Sequence, residues 1–268
     1  MKTLTLCLAL IATTVLSTVP NEVLFSSRRR MLRTCLPFTQ CGGKISNHPN
    51  DWSKSFPVLA LSTAKKGCSN NIKFGKVTFP AGGCPNAAAL LAEVNLARSN
   101  PTRLAAFIQQ NMCHGESHTS TSVAAETINF LLWMATNCKA DVKALPHWSC
   151  FDKASASAAA DNVKQYGKVS CRQISHYASG GDPNKRIAAA AKKDNNQCMW
   201  GSGENLVGWT APKPCIFLVA KWYLDEGIAN KGHRRSLINA MAKGVGTAIK
   251  TCGTGILGAA NLPIGYTC

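Results

Sequence analysis

The amino-acid sequence predicts a disulfide-rich α+β fold of stacked layers, preceded by a loop-rich segment. Three observations predict it. From Asn86 to about Leu224 apolar residues recur at helical spacing; the tail "GVGTAIKTCGTGILGAANLPIGYTC" alternates small and β-branched residues with glycine; and twelve cysteines are spread along the chain beyond residue 18. Helices followed by strands, without the alternation that builds a parallel sheet, indicate an α+β or three-layer arrangement. At 268 residues the chain can bury the core of one large domain or two modest ones.

The beginning of the chain reads as an export signal. Lys2 precedes the apolar run "LTLCLALIATTVLS", which is shorter than the roughly 20 apolar residues of a membrane span, and small residues near Ser17 offer a cleavage site. Residues 1–18 are therefore expected to be a signal peptide and the protein to be extracellular, with no transmembrane segment. Residues 19–85 form a basic, cysteine-containing extension. In it "SSRRRMLR" offers either a processing site after Arg30 or a solvated basic arm, and "CGG", "SNHPND" and "AGGCP" mark turns around short β-prone pieces such as "IKFGKVTF". Cys35, Cys41, Cys68 and Cys84 are expected to hold this appendage together.

Residues 86–268 carry the domain. "NAAALLAEVNLARSNPTRLAAFIQQ" predicts helix with a break at Asn100–Pro101, and "SVAAETINFLLWMATNC" predicts a second helix with Ile128, Leu131, Leu132 and Ala135 on one face. In "FDKASASAAADNVKQYG" Asp152 is placed to cap a third helix and Gly167 to end it, and its small residues Ala154, Ala158 and Ala159 should let another element pack close. "NKRIAAAAKK" adds a short helix, and "PKPCIFLVAKWYLDEG" a fourth long one, with Pro214 near its first turn and Gly227 as terminator. The tail predicts two strands.

Charge and cysteines narrow the class. The formal charge is +17. Residues 21–85 contain ten Lys/Arg against two acids and residues 86–268 nineteen against eleven, so the basic density lies in the extension. Such a segment attracts an anionic cell surface or polysaccharide; nucleic acid is not an expected partner of an exported, disulfide-bonded chain. Cys35, Cys41, Cys68, Cys84, Cys113, Cys138, Cys150, Cys171, Cys198, Cys215, Cys252 and Cys268 are an even set of disulfide candidates whose connectivity the sequence leaves open. No C-x2-C pair suggests a zinc ribbon, and no G-x-S-x-G marks a serine nucleophile.

Four residues in the second half could share a site: His176 in "ISHYASGG", Glu204 in "GSGENLVGW", Asp225 at the end of the fourth long helix with Glu226 beside it, and His233 in "KGHRRSLIN". Each lies at a predicted helix end or in a loop. Two histidines with carboxylates are the donors of a divalent-cation site, the parts of a general base, or a hydrogen-bonded structural pair. Glu204 could equally hold a turn, and Arg234 or Arg235 could neutralise Asp225 or Glu226. His114, His118 and His147 read as solvated or hydrogen-bonded loop histidines.

An ordered series of blocks resembles the CAP superfamily, whose SCP domain is shared by cysteine-rich secretory proteins, antigen 5 and plant pathogenesis-related 1 proteins. "EVNLARSNP", "ALPHWSCFDKASASAAADNVKQYG", "SH", "GENL", "WYLDEG", "GHR" and "GVGTAI" carry the resemblance, over about Pro85 to Cys268. "GHRRSLIN" and the element of Pro183, Arg186 and Ile187 are closest to the SCP-like extracellular branch. The resemblance implies a three-layer α-β-α sandwich of the CAP/SCP type in which His176, Glu204, Asp225 and His233 meet in a central cleft. It departs from the family at Asp225, where glutamate is usual, and a shorter carboxylate must bring its backbone closer.

Three functions follow. The first is a monomeric, non-enzymatic secreted protein that binds a sterol or fatty acid between its helices; it requires no cofactor but can take a divalent cation such as zinc in the cleft. The second is a metal-dependent hydrolase or peptidase, with zinc on His176 and His233 and Glu204 or Asp225 as general base, although H-E-x-x-H spacing is lacking. The third is a surface-binding effector or defence protein.

Overall fold

A computed structural model describes residues 68, 73–74, 77–113, 119–138, 142–167, 171–193, 202–228, 231–239, 242 and 244–263. The expected signal peptide, Arg30, most of the basic extension, Cys35, Cys41, Cys198, Cys268, His114 and His118 lie outside these residues.

The chain folds into helices α1 (Ala87–Ser99), α2 (Pro101–Met112), α3 (Thr121–Asn137), α4 (Ser149–Tyr166) and α5 (Pro183–Lys193), strand β1 (Ser202–Trp209), helices α6 (Cys215–Leu224) and α7 (Gly232–Leu237), and strands β2 (Gly246–Cys252) and β3 (Gly255–Pro263). The expected break between the first two helices is present. Asn100 ends α1 and caps α2, its side chain accepting from Arg103 N–H, and Pro101 occupies the first helical position, where its missing N–H costs nothing. Asn86 and Ser120 cap α1 and α3 in the same manner.

The three strands form an antiparallel sheet in the order β1-β3-β2. Side chains alternate along it. Leu206, Ala248, Leu257 and Ala259 pack on Ala158 and Ala159 of α4, whereas Val207, Ile256, Ala260 and Leu262 join the larger core of α1, α2, α3, α6 and α7. Helices α4 and α5 therefore cover one face, and α1, α6 and α7 the other, with α2 and α3 stacked outside α6. This is a three-layer, disulfide-rich α+β sandwich.

The small face of α4 allows the close approach predicted for it. A Cβ on Gly246 would lie 2.0 Å from backbone atoms of Phe151 and Asp152, so only glycine fits there. Ser155 seals the contact by donating to Gly246 O and accepting from Asn261 Nδ2.

Several expectations are corrected. Asp152 does not cap α4, which begins three residues earlier after Trp148; its carboxylate instead accepts Thr247 N–H at 2.7 Å and pairs with His147, a half-exposed, hydrogen-bonded histidine as expected. Helix α6 ends at Asp225 in the left-handed conformation (φ 49°), and Gly227 lies in the turn beyond. "GENL" is strand, not turn. Cys68 and Cys84 do not close the appendage on itself: they bridge to Cys113 and Cys215 and tie it to the helical domain. Cys171 bridges to Cys252, and Cys138 and Cys150 are disulfide-bonded. Among the described residues no helix is long and apolar enough to cross a membrane.

Candidate functional site

The site is two histidine–carboxylate pairs, one from each helical layer, meeting at the edge strand β1. Glu204 sits two residues before Leu206, so its side chain points into the α4–α5 layer, where it is 2 % exposed. A buried carboxylate needs partners. Arg186 of α5, equally buried, donates from Nη1 to Glu204 Oε2 at 3.1 Å and to Oε1 at 3.3 Å. His176 lies in the turn between α4 and α5, and its Nδ1–H donates to Glu204 Oε1 at 2.9 Å; a carboxylate only accepts, so the proton sits on Nδ1 and Nε2 is left as an acceptor.

The turn holding His176 is pinned from several sides. Asn162 of α4 donates from Nδ2 to Ser175 O at 3.0 Å and accepts from Ser175 N–H at 2.8 Å. Arg186 Nη1 also donates to His176 O, and Arg186 Nε donates to Asp161. The guanidinium passes so close to Gly181 that a Cβ there would come within 2.5 Å of both Arg186 Nη2 and Asp161 Oδ2.

The second pair is built around a helix start. Asp225 tolerates its left-handed backbone because its short polar side chain can bond locally. Its buried carboxylate accepts His233 N–H at 2.9 Å and Arg234 N–H at 3.3 Å on Oδ2, and His233 Nδ1–H at 2.7 Å on Oδ1. Asp225 thus satisfies the first orphan amides of α7 in place of Lys231, the residue at the helix boundary, which has no side-chain cap bond. Lys231 acts on the preceding helix instead, since its Nζ donates to Leu224 O and Asp225 O and closes the carbonyl end of α6. Burial, with the charge of Arg234, pushes the Lys231 ammonium down.

The two imidazole rings lie 6.2 Å apart, centroid to centroid, and are tilted by 32°. His176 is 42 % exposed and His233 18 %. Both Nδ1 atoms are tied to carboxylates, so the pair presents two Nε2 acceptors on rings whose orientation is fixed, as histidines that hold a metal are commonly fixed. Among the described residues no group of three or more His, Cys, Asp or Glu is assembled as a metal cage. Two imidazole nitrogens are donors of the kind a divalent ion takes with water completing its shell, and they do not make a closed structural zinc site.

The neighbouring candidates part from this site. Glu226 turns away, accepting Ser120 N–H at 2.9 Å and lying 3.9 Å from Lys221 Nζ. Arg234 is buried and pairs not with Asp225 or Glu226 but with Glu126 of α3, through two bonds of 2.6 and 2.7 Å, with a third to Thr127. Its guanidinium also lies 4.7 Å from the centroid of Phe130. Burial by itself would raise the Glu126 carboxyl, but the bonds and charge of Arg234, with Lys231 and Thr127, hold it below its ordinary value. Arg98 supports the far end of α7, donating to Leu237 O and Asn239 O as well as to Lys143 O.

In the sequence Arg186 stands out only as part of a family element, with no role of its own, and nothing there singles out Asn162, Glu126 or Lys231. Residues 139–266 match the family model described as CAP, cysteine-rich secretory protein family. No curated protein and no solved structure matches the chain.

Proposed function

We propose that the chain, whose residues 139–266 match the CAP family model, is a secreted, non-enzymatic binding protein. It holds a divalent cation between the Nε2 atoms of His176 and His233 and a sterol or fatty acid among its apolar helices. The observation that carries the cation part is the matched pair of bonds from Nδ1–H to buried carboxylates, which sets both rings as acceptors 6.2 Å apart. Such carboxylate–histidine pairs fix the tautomer a cation needs. The lipid part rests on the likeness to the family.

Turnover is less well supported by the same geometry. A general base needs a carboxylate or imidazole free to take a proton. Glu204 is already engaged by Arg186 and His176, and Asp225 accepts three N–H groups. A bound ion would polarise water at its open positions, and the role of this chain's own groups is to orient the two imidazoles that hold it.

The test is native mass spectrometry of the full-length protein secreted from a eukaryotic host, with zinc titration by calorimetry, on the wild type and on His176→Ala/His233→Ala. Zinc that binds the wild type and not the double variant, together with a co-purifying lipid retained by both, supports the reading. Retention of zinc by the double variant removes the cation part, and absence of lipid from both removes the lipid part. Hydrolysis of a peptide library that requires both histidines would replace the reading with the enzymatic one.

A further inference from the structure

Trp209, the last residue of β1, is surrounded by positive charge. The Arg172 guanidinium lies 4.8 Å from the indole centroid, Lys221 Nζ 5.5 Å and Lys213 Nζ 5.9 Å. Lys213 Nζ is also 4.9 Å from the centroid of Phe217, whose ring meets Trp209 edge-on at the same distance. Ring faces attract cations by about 0.5–1 kcal/mol each at exposed sites, which offsets part of the repulsion among the three. Lys221 Nζ donates to Thr119 Oγ1 at 3.1 Å and lies 3.9 Å from the Glu226 carboxylate, which accepts from Ser120.

The cluster is placed by covalent and helical geometry, not by a ligand. Lys213, Phe217 and Lys221 follow at intervals of four, so they line one side of α6 and the turn before it. Lys213 stands between Pro212 and Pro214, its carbonyl accepts Cys84 N–H at 2.7 Å, and the Cys84–Cys215 bridge lies two residues on. Arg172 follows Cys171, which is bridged to Cys252. With the backbone already fixed, only side-chain freedom is lost when something binds. Burial pushes the Lys221 ammonium down, against the pull of Glu226, and the charge of Arg172 adds to the burial.

We propose that the Trp209 cluster is a binding site for an anionic polysaccharide, whose sulfate or carboxylate groups sit against Arg172, Lys213 and Lys221. The three charges surround a ring instead of converging on one point. A small anion therefore meets one or two of them, whereas a polymer with anionic groups repeated along it meets all three. The half-buried indole adds an apolar surface of the kind on which the C–H face of a sugar packs. None of its residues belongs to the histidine pairs or to the basic stretch of residues 21–85.

The experiment uses the full chain and a heparin oligosaccharide as the probe, followed by calorimetry at fixed ionic strength. Arg172→Ala/Lys213→Ala is compared with Lys192→Ala/Lys193→Ala, which removes the same charge from exposed positions at the end of α5. The first variant should bind about tenfold more weakly than wild type, as expected for two charge contacts, and the second should bind nearly as wild type. Arg172→Gln alone, on an exposed side chain, should lose about threefold, which keeps the test decisive if the double variant does not fold. Equal losses in the two double variants, no binding of heparin by wild type, or cluster-dependent binding of phosphatidylserine vesicles without heparin binding would each overturn the proposal.

Discussion

Asp225 caps the helix that carries His233 and grips the same histidine's ring. One carboxylate oxygen accepts the His233 and Arg234 amides and the other accepts His233 Nδ1–H at 2.7 Å. Local folding and the chemistry of the site thus share a single side chain. Asp225 reaches both the amides and the ring from a left-handed backbone (φ 49°).

That double duty separates two effects in one substitution. In Asp225→Asn the amide oxygen can still accept the α7 amides, but the amide NH2 now donates to His233 Nδ1 and moves the ring proton to Nε2. Stability should fall by about 1 kcal/mol. Zinc affinity should drop by about 10–100-fold, read by calorimetry, with the Nε2-protonated tautomer visible in the nitrogen NMR shifts of the ring. Unchanged affinity would show that the carboxylate does not set the tautomer.

Removing Arg186 tests the first pair. In Arg186→Met the buried Glu204 keeps only His176, and Asp161 and the His176 carbonyl each lose a donor. A stability loss of about 3–5 kcal/mol is expected for breaking a buried charge pair, measured by denaturant unfolding. Glu204→Gln in the Arg186→Met background should recover part of it, because the uncompensated charge is gone.

Glu126 predicts a pH effect. Its folded-state carboxyl lies below the ordinary 4.5, so it contributes stability that is present above that pH and is lost as pH falls through the lower folded value. Glu126→Gln should be less stable than wild type at pH 7, by about 2 kcal/mol since the carboxylate is partly exposed, and the gap should close on acidification. Thermal midpoints at pH 7 and pH 3 decide it; a constant gap would contradict the assignment.

Gly246→Ala places a methyl group on the backbone of α4. Neither side can yield without moving a helix, so a loss of about 3 kcal/mol is expected. Gly82, at φ 91° with nothing near its would-be Cβ, provides the contrast: Gly82→Ala should cost about 1 kcal/mol, from backbone strain alone. Calorimetric midpoints of the two variants compare packing with conformation.

Helices α1 to α6 were legible because each buries one face, whereas the six-residue α7 was not. The Asn100–Pro101 break, the small face of α4 and the end of α6 near Asp225 all follow from local spacing and capping chemistry. Strand β1 was not legible. It lies at the sheet edge, yet Leu206 and Glu204 are buried under α4 and α5 while Asn205 and Val207 are buried beneath α6 and α7, so no polar face marks a period of two. Pairings such as Glu126 with Arg234, 108 residues apart, leave no periodic trace either. The four site residues stood out by residue type and by their places at helix ends and in loops, and the family resemblance joined them into one cleft; the buried arginine that neutralises Glu204 belongs to a short family element whose purpose emerges only when α5 is laid on the sheet.

His176 and Glu204 belong to the layer of α4 and α5, Asp225 and His233 to the layer of α6 and α7, and only the edge of β1 separates them. The register that pairs Glu204 with Asn261 is what keeps the first pair on its own side; a slip by one residue would turn Glu204 toward α7 and leave Arg186 facing Gly203 or Asn205. The spacing between the rings is therefore a gauge of how the two helical sheaths sit across the sheet. Any force that slides one sheath past the other is registered first in the gap between His176 and His233.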